Sequence, residues 1–330
     1  MTEINRRQAL QMGLSFASSA ATVSSVFAQN FPENAKILVG FPPGGAPDLI
    51  ARRLAEQLTG KLARAVIVDN RPGAGGRIAA DVARQAAPDG LTLLLNPAGM
   101  LTINPHVYTK LNYDPFKDFA PISLAANIDF GFAIGPSVPS TVKTLADFVT
   151  WAKLNKGKVS FGSPAAGAPP HFVGDALSRA FKLEMTHVPY RGATPALNDL
   201  LGGQIASLVL TLGDMVAHAK AGKLRLLASS GLVRSKFAPT VPTFSEQRVA
   251  GLDRRDWFGI YIAGAPSLEV RARTWALVQA ALASTAYSDS LAVSSIEATS
   301  SSPAELEALA RRDFESWRSV VKASGFTADN

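Results

Sequence analysis

Short apolar runs break into glycine- and proline-rich loops directly ahead of helix-forming segments along most of this chain. Ala35–Phe41 (AKILVGF) reads as a buried strand, stops at Pro42-Pro43-Gly44-Gly45, and gives way to a helix from Asp48 through Leu49, Leu54 and Leu58. Ala65–Asp69 is the next strand, closed by Asn70–Gly76, with a helix over Arg77–Gln85. Leu91–Leu95 follows and ends at Asn96-Pro97-Ala98-Gly99. Further on, Phe130–Ile134, Val159–Gly162, Thr186–Val188, Leu208–Leu212, Leu224–Ala228 and Phe258–Ile262 read as strands. Leu145–Leu154, Phe172–Phe181, Pro195–Leu201, Val216–Ala221 and Pro303–Lys322 read as helices. This alternation is the grammar of a parallel α/β architecture. At 330 residues the chain has room for two such units, taking roughly 100–200 residues per domain.

Composition removes several function classes. The chain is 47% hydrophobic and 18% charged, so it can bury a core and is no disordered tail. Its formal charge of +7 is spread without a basic run, so the footprint of a nucleic-acid binder is missing. Cysteine is absent, which excludes disulfides, thiolate metal ligands, a catalytic thiol and a lipid-modified N-terminal cysteine. Residues 1–28 are expected to be a signal peptide: Arg6-Arg7, a weakly apolar uncharged stretch, and Val26-Phe27-Ala28 as a small-x-small cleavage signal ahead of Gln29. The paired arginines point to twin-arginine export, with the general secretory route as the alternative. The product is expected to be an extracytoplasmic protein without a lipid anchor.

Enzymatic motifs are sparse. Gly73-Ala74-Gly75-Gly76 follows a strand, but Ile78 stands where a dinucleotide fingerprint needs a small residue, and no P-loop exists. His106, His171, His187 and His218 show no metal-ligand spacing. Ser163 lies in a loosened nucleophile-elbow pattern without an Asp–His partner pattern, so an exported serine hydrolase is the alternative reading. No cofactor or metal is expected. Enriched instead are loops at strand ends ahead of helices: Pro42–Asp48, Asn96–Met100 and Ser163–His171. Free N–H groups and the positive dipole end at a helix start suit a carboxylate, and glycine lets it approach the backbone.

Several segments are specific in a different way. Phe41-Pro42-Pro43-Gly44-Gly45 with Asp48, Ala51 and Arg52 looks like "PFPPGG..D..AR", and Asn70–Gly76 like "NRPGAGG". Val188-Pro189-Tyr190-Arg191-Gly192, Pro195-Ala196-Leu197 and Asp199–Gly203 look like "VPY(K/R)G..PAL.DLLGG". Ala221–Arg225, Val241–Phe244 with Glu246, and Trp257 with Gly259 continue the match. Over essentially the whole expected mature chain the sequence resembles the Bug (Bordetella uptake gene) family, the extracytoplasmic receptors of tripartite tricarboxylate transporters.

The resemblance implies a two-lobed periplasmic-binding-protein fold of type II kind. Each lobe is a mixed, mostly parallel sheet flanked by helices, with the ligand cleft between them. Lobe 1 is expected over 29–126 plus 256–330 and lobe 2 over 127–255, making a monomer that closes on a small organic acid. Partners would be membrane permease subunits or a sensor protein. The ligand loops would be Phe41–Asp48 and Ser163–His171, where Ala168 replaces a hydroxyl usual in the family. The candidate ligand set is Phe41, Pro43, Gly44, Gly45, Asp48, Asn96, Gly99, Ser163, Ala166, Gly167, His171, Tyr190 and Asp214. Several have two readings. Asp48 and Asp214 suit either a helix cap or a cleft contact, Tyr190 either packing or ligand, and His171 either a helix-start hydrogen bond or ligand. Trp257 is expected to pack at the second crossover. Arg191 is the one arginine of the matched motifs placed for a carboxylate clamp, its other reading being a solvated loop charge. The helix starts, with Gly45 foremost, are expected to carry the affinity.

Overall fold

The computed structural model describes residues 31–328; the expected signal peptide lies outside the described residues. From Asn34 on the chain builds two sheets. The first contains β1 (Asn34–Val39), β2 (Ala65–Asn70), β3 (Thr92–Pro97), β4 (Phe119–Ile128), β10 (Asp256–Ala263) and β11 (Glu297–Ala298), in the order β11-β4-β10-β3-β1-β2. The second contains β5 (Phe130–Ile134), β6 (Val159–Ser163), β7 (Met185–Pro189), β8 (Ser207–Thr211) and β9 (Arg225–Ser229), in the order β7-β6-β8-β5-β9. In each, a parallel run is flanked by antiparallel strands. β1 runs parallel to β2 and β3, while β10 is antiparallel to β3 and β4. β6 runs parallel to β7 and β8, while β5 is antiparallel to β8 and β9.

The helices are α1 (Ala46–Leu58), α2 (Arg77–Arg84), α3 (Gly99–Thr102), α4 (Asn104–Val107), α5 (Leu145–Leu154), α6 (Pro169–Ala180), α7 (Ala193–Leu201), α8 (Leu212–Lys220), α9 (Leu268–Leu282), α10 (Thr285–Ala292) and α11 (Pro303–Ser324). Local chemistry explains many boundaries. α11 opens on a capping box in which Ser302 Oγ accepts from the Glu305 N–H at 3.2 Å and the Glu305 carboxylate accepts from the Ser302 N–H at 2.8 Å. It closes at Gly325, whose φ of 67° is the left-handed conformation glycine adopts without strain. Thr144 and Asp147 form the same box on α5.

Central strands are buried on both faces, as parallel sheets covered by helices require: Ile37, Leu38 and Val39 are all buried, as is every residue of β5. One apolar cluster runs through both sheets, from Ile37 and Leu54 through Ile128 and Phe130 to Phe148 and Phe161. The chain passes from first sheet to second at Asp129 and returns at Arg255, which lies 3.7 Å from Asp129 and also pairs with Glu297.

Differences from the sequence reading have physical causes. α6 starts at Pro169, ahead of the expected Phe172, because proline fits the first turn of a helix, where its missing N–H is no loss. β4, α9 and α10 carry no clear period. β4 mixes Pro121, Ser123 and alanines, and α9 interleaves Arg271, Arg273 and Gln279 with apolar residues around its whole circumference. Among the described residues, no helix is long and apolar enough to cross a membrane.

Candidate ligand-binding site

Ligands of open α/β sheets bind beyond the carboxyl ends of the strands, and that is where the best-placed cavity lies. It has a volume of about 600 Å³. Four strand ends bound it: Gly40, Phe41 and Pro42 after β1, Pro72–Gly75 after β2, Pro164–Ala166 after β6, and Tyr190–Gly192 after β7. Ile78 and Tyr108 complete the wall. Two loops thus come from each sheet. A groove of about 630 Å³ exists beside α8 and β9, but it lies along an outer sheet edge rather than at these strand ends. Phe41, Pro42 and Pro164 also line a deeper compartment of about 50 Å³, shared with Gly45, Ala193, Thr211 and Asp214.

The two sides already touch. A Cβ at Gly192 would lie 3.0 Å from Pro42 Cδ, and one at Gly45 would lie 3.3 Å from Ala193 Cβ.

Of the expected residues, Phe41, Ala166, Tyr190 and Arg191 line the large cavity, and Phe41, Gly45 and Asp214 the small one. Tyr190 presents its ring, since its hydroxyl donates to Asp199 at 2.7 Å. The Asp214 carboxyl, in the first turn of α8, faces the Ala46 N–H of α1, and burial pushes it up to about 7.

The others serve the loops. Asp48 lines neither cavity: its carboxylate accepts from Gly44 N–H (3.1 Å), Arg52 Nε (2.9 Å) and Asn70 Nδ2 (3.0 Å), bracing the first loop from within. Burial works against its charge, but these donors hold its pKa below the usual carboxylate range. Pro43 and Gly44 are exposed beside it. Asn96 is buried in β3 opposite Gly259, and Gly99 packs on Pro169, where a Cβ would come within 2.9 Å. The Asn96–Met100 loop therefore meets the start of α6 and lines neither cavity. Asn70–Gly76, which is not among the expected ligand loops, supplies Pro72–Gly75 to the wall of the large cavity.

Ser163, Gly167 and His171 form a buried support beneath the 163–167 loop. His171 Nδ1 accepts from the Gly167 N–H at 3.1 Å, and its Nε2 faces Asp175 at 3.5 Å. The His171 and His187 rings stack with centroids 3.8 Å apart, and His187 Nε2 lies 2.7 Å from Ser163 Oγ. The Ser163 hydroxyl donates to the Ala165 carbonyl at 3.0 Å, so it accepts from His187 rather than yielding it a proton. With Ser163 fully buried, this arrangement does not favour a nucleophile. Burial, then the neighbouring His171, pushes the His187 imidazole down to about 3; burial also lowers His171 against the opposing pull of Asp175. Trp257 is buried in β10 with its indole N–H on Asp313 at 2.9 Å, away from both cavities.

Sequence reasoning missed Tyr108, Ile78, Pro72 and Gly73. Asn70–Gly76 carried the same strand-end signal as the chosen loops, whereas Tyr108 carried none: it follows α4, and its ring lies under the Arg77 guanidinium at 3.7 Å.

Residues 50–326 match the family model described as "Tripartite tricarboxylate transporter family receptor". The chain belongs to this family. Among curated proteins it is 27% identical over 312 residues to Protein BugT of Bordetella pertussis, covering 94% of this chain and 95% of that one. Among solved structures it superposes on the periplasmic binding protein BugD with a TM-score of 0.84 at 27% identity, covering 90% of this chain and 99% of the other. An R. palustris protein, Rpa4515 with adipate, gives the same TM-score of 0.84 at 27% identity, covering 89% and 98%. The family is one of substrate-binding receptors, and the two sheets have the architecture of its periplasmic binding proteins.

Proposed function

We propose that this chain is a periplasmic solute-binding receptor that captures a small carboxylic acid between its two sheets and delivers it to a permease of the tripartite tricarboxylate type or to a sensor. The observation carrying this reading is that one cavity is walled by the carboxyl-end loops of four parallel strands, two from each sheet. A ligand there touches both bodies at once, so binding and closure become one event. In this reading the lobes are 29–126 with 256–330, and 127–255. They are joined at the two passages that Asp129 and Arg255 mark, and the receptor works as a monomer. Adipate in the similar solved protein supports an acid as the ligand class.

The reading is tested by a thermal-shift screen of mono-, di- and tricarboxylates, aromatic acids and amino acids. A ligand at 100 times its Kd adds about 2.7 kcal/mol, a clear rise in Tm. Small-angle scattering with the hit should show a smaller radius of gyration. A full screen without a shift would remove the receptor reading. Mass spectrometry of the exported form is expected to start at Gln29.

A further inference from the structure

We propose that the ligand of this site is an aromatic monocarboxylic acid, its carboxylate anchored by Arg191 and its ring held among Phe41, Tyr108 and Tyr190. This rests on the receptor reading and narrows it. Arg191 is the single charged side chain lining the large cavity, and among the described residues it has no hydrogen-bond or ion-pair partner. It also stands just ahead of Ala193, the first residue of α7, where the helix's positive end adds to its field. One guanidinium matches one carboxylate, through two parallel hydrogen bonds.

The helix starts expected to hold the carboxylate are poorly equipped for it. α6 begins with Pro169 and Pro170, which have no N–H. The His171 N–H is already bonded to the Ala168 carbonyl at 2.9 Å. At α1, Pro47 removes another donor, and the Ala46 N–H faces Asp214. Arg191 is the one cationic side chain in the wall that can meet the anion.

The remaining wall is apolar or aromatic: Phe41, Ile78, three prolines, three alanines, four glycines and two tyrosines, with no serine, threonine, asparagine, histidine or carboxylate. Apart from the Tyr108 hydroxyl, a second or third carboxylate, a hydroxyl or an ammonium would lose its water there without a side-chain partner. An aromatic ring asks for no such partner and gains edge and face contacts with the rings of the wall beyond its buried area. The volume of about 600 Å³ is within the range of sites for molecules well above a three-carbon acid.

Titration calorimetry on the mature chain with cinnamate, benzoate, malate, adipate, citrate and glutamate decides the matter. Cinnamate should bind at least tenfold tighter than any of the four non-aromatic acids, and cinnamyl alcohol at least tenfold weaker than cinnamate. Arg191→Gln should erase the difference between cinnamate and its alcohol. Tighter binding of malate, adipate, citrate or glutamate overturns the aromatic assignment and leaves the receptor reading standing; no binding by any acid overturns both. If the alcohol binds as well as cinnamate, or Arg191→Gln binds cinnamate like the wild type, the anchor is wrong. Should that variant fail to fold, the alcohol comparison on the wild type is decisive.

Discussion

The stacked pair His171–His187 is a residue-scale device with a pH signature. Both imidazoles are held below their ordinary value, so the unfolded chain binds protons that the folded one refuses. Their contribution is therefore whole above about pH 6.5 and drains away as pH falls from there toward the depressed values. The buried carboxyls of Asp214 and Asp256, each raised to about 7, act with the opposite sign across an overlapping range, favouring the folded state as pH falls. The histidine effect is thus read as a difference. His187→Gln keeps a donor for Ser163 Oγ and discards the titration. We expect the Tm gap between wild type and this variant to shift in the variant's favour between pH 7 and pH 4.5. A gap that stays constant would show that His187 is not protonated on unfolding in this range.

At the scale of elements, packing against propensity is tested at Gly174 of α6. Alanine is the better helix former by about 1 kcal/mol. A Cβ there would sit 2.1 Å from the Phe161 ring of β6, and that ring is fully buried. Overpacking of this kind costs about 1–3 kcal/mol, so the clash wins and Gly174→Ala should lower the urea midpoint. α6 also explains the missing hydroxyl at Ala168, which is the N-cap of this helix. A serine cap usually contributes about 1 kcal/mol by accepting from the second or third helical N–H. Here the second is a proline and the third is already bonded, so Ala168→Ser should gain well under that amount in the same urea titration.

For the whole molecule, the C-terminal residues join the walls of the site. Phe326 meets the His171 ring edge-on at 4.8 Å, and a Cβ on Gly167 would lie 2.9 Å from it. Two residues on, the Ala328 N–H donates to the Val107 carbonyl at 2.8 Å, next to Tyr108. Phe172, Trp317 and Val321 pack in the same buried cluster. The tail thereby braces Tyr108, on the first sheet's side, against the 163–167 loop on the other. Phe326→Ala should cost about 1–3 kcal/mol, less than a fully buried phenylalanine because this one is half-buried. It should also weaken the tightest acid of the panel more than tenfold by calorimetry at a temperature where both proteins are folded. Unchanged affinity would separate the tail from the site.

Alternating strands and loops and the glycine and proline breaks were legible in the sequence because they are set within a few residues of chain. The family motifs located Phe41, Ala166, Tyr190 and Arg191 for the same reason: each lies in a strand-end loop. Sequence could not rank those loops. Asn70–Gly76 and Asn96–Met100 carry the same chemistry, yet only the first reaches the large cavity. β2 stands at the end of the parallel run, whereas β3 adjoins the antiparallel β10 and its loop abuts Pro169. Tyr108 reached the wall through a contact with the far end of the chain, and the two prolines of α6 mattered only once they stood on a helix's first turn. Local pattern determined the elements; the order of strands in the sheets decided which of their loops could meet.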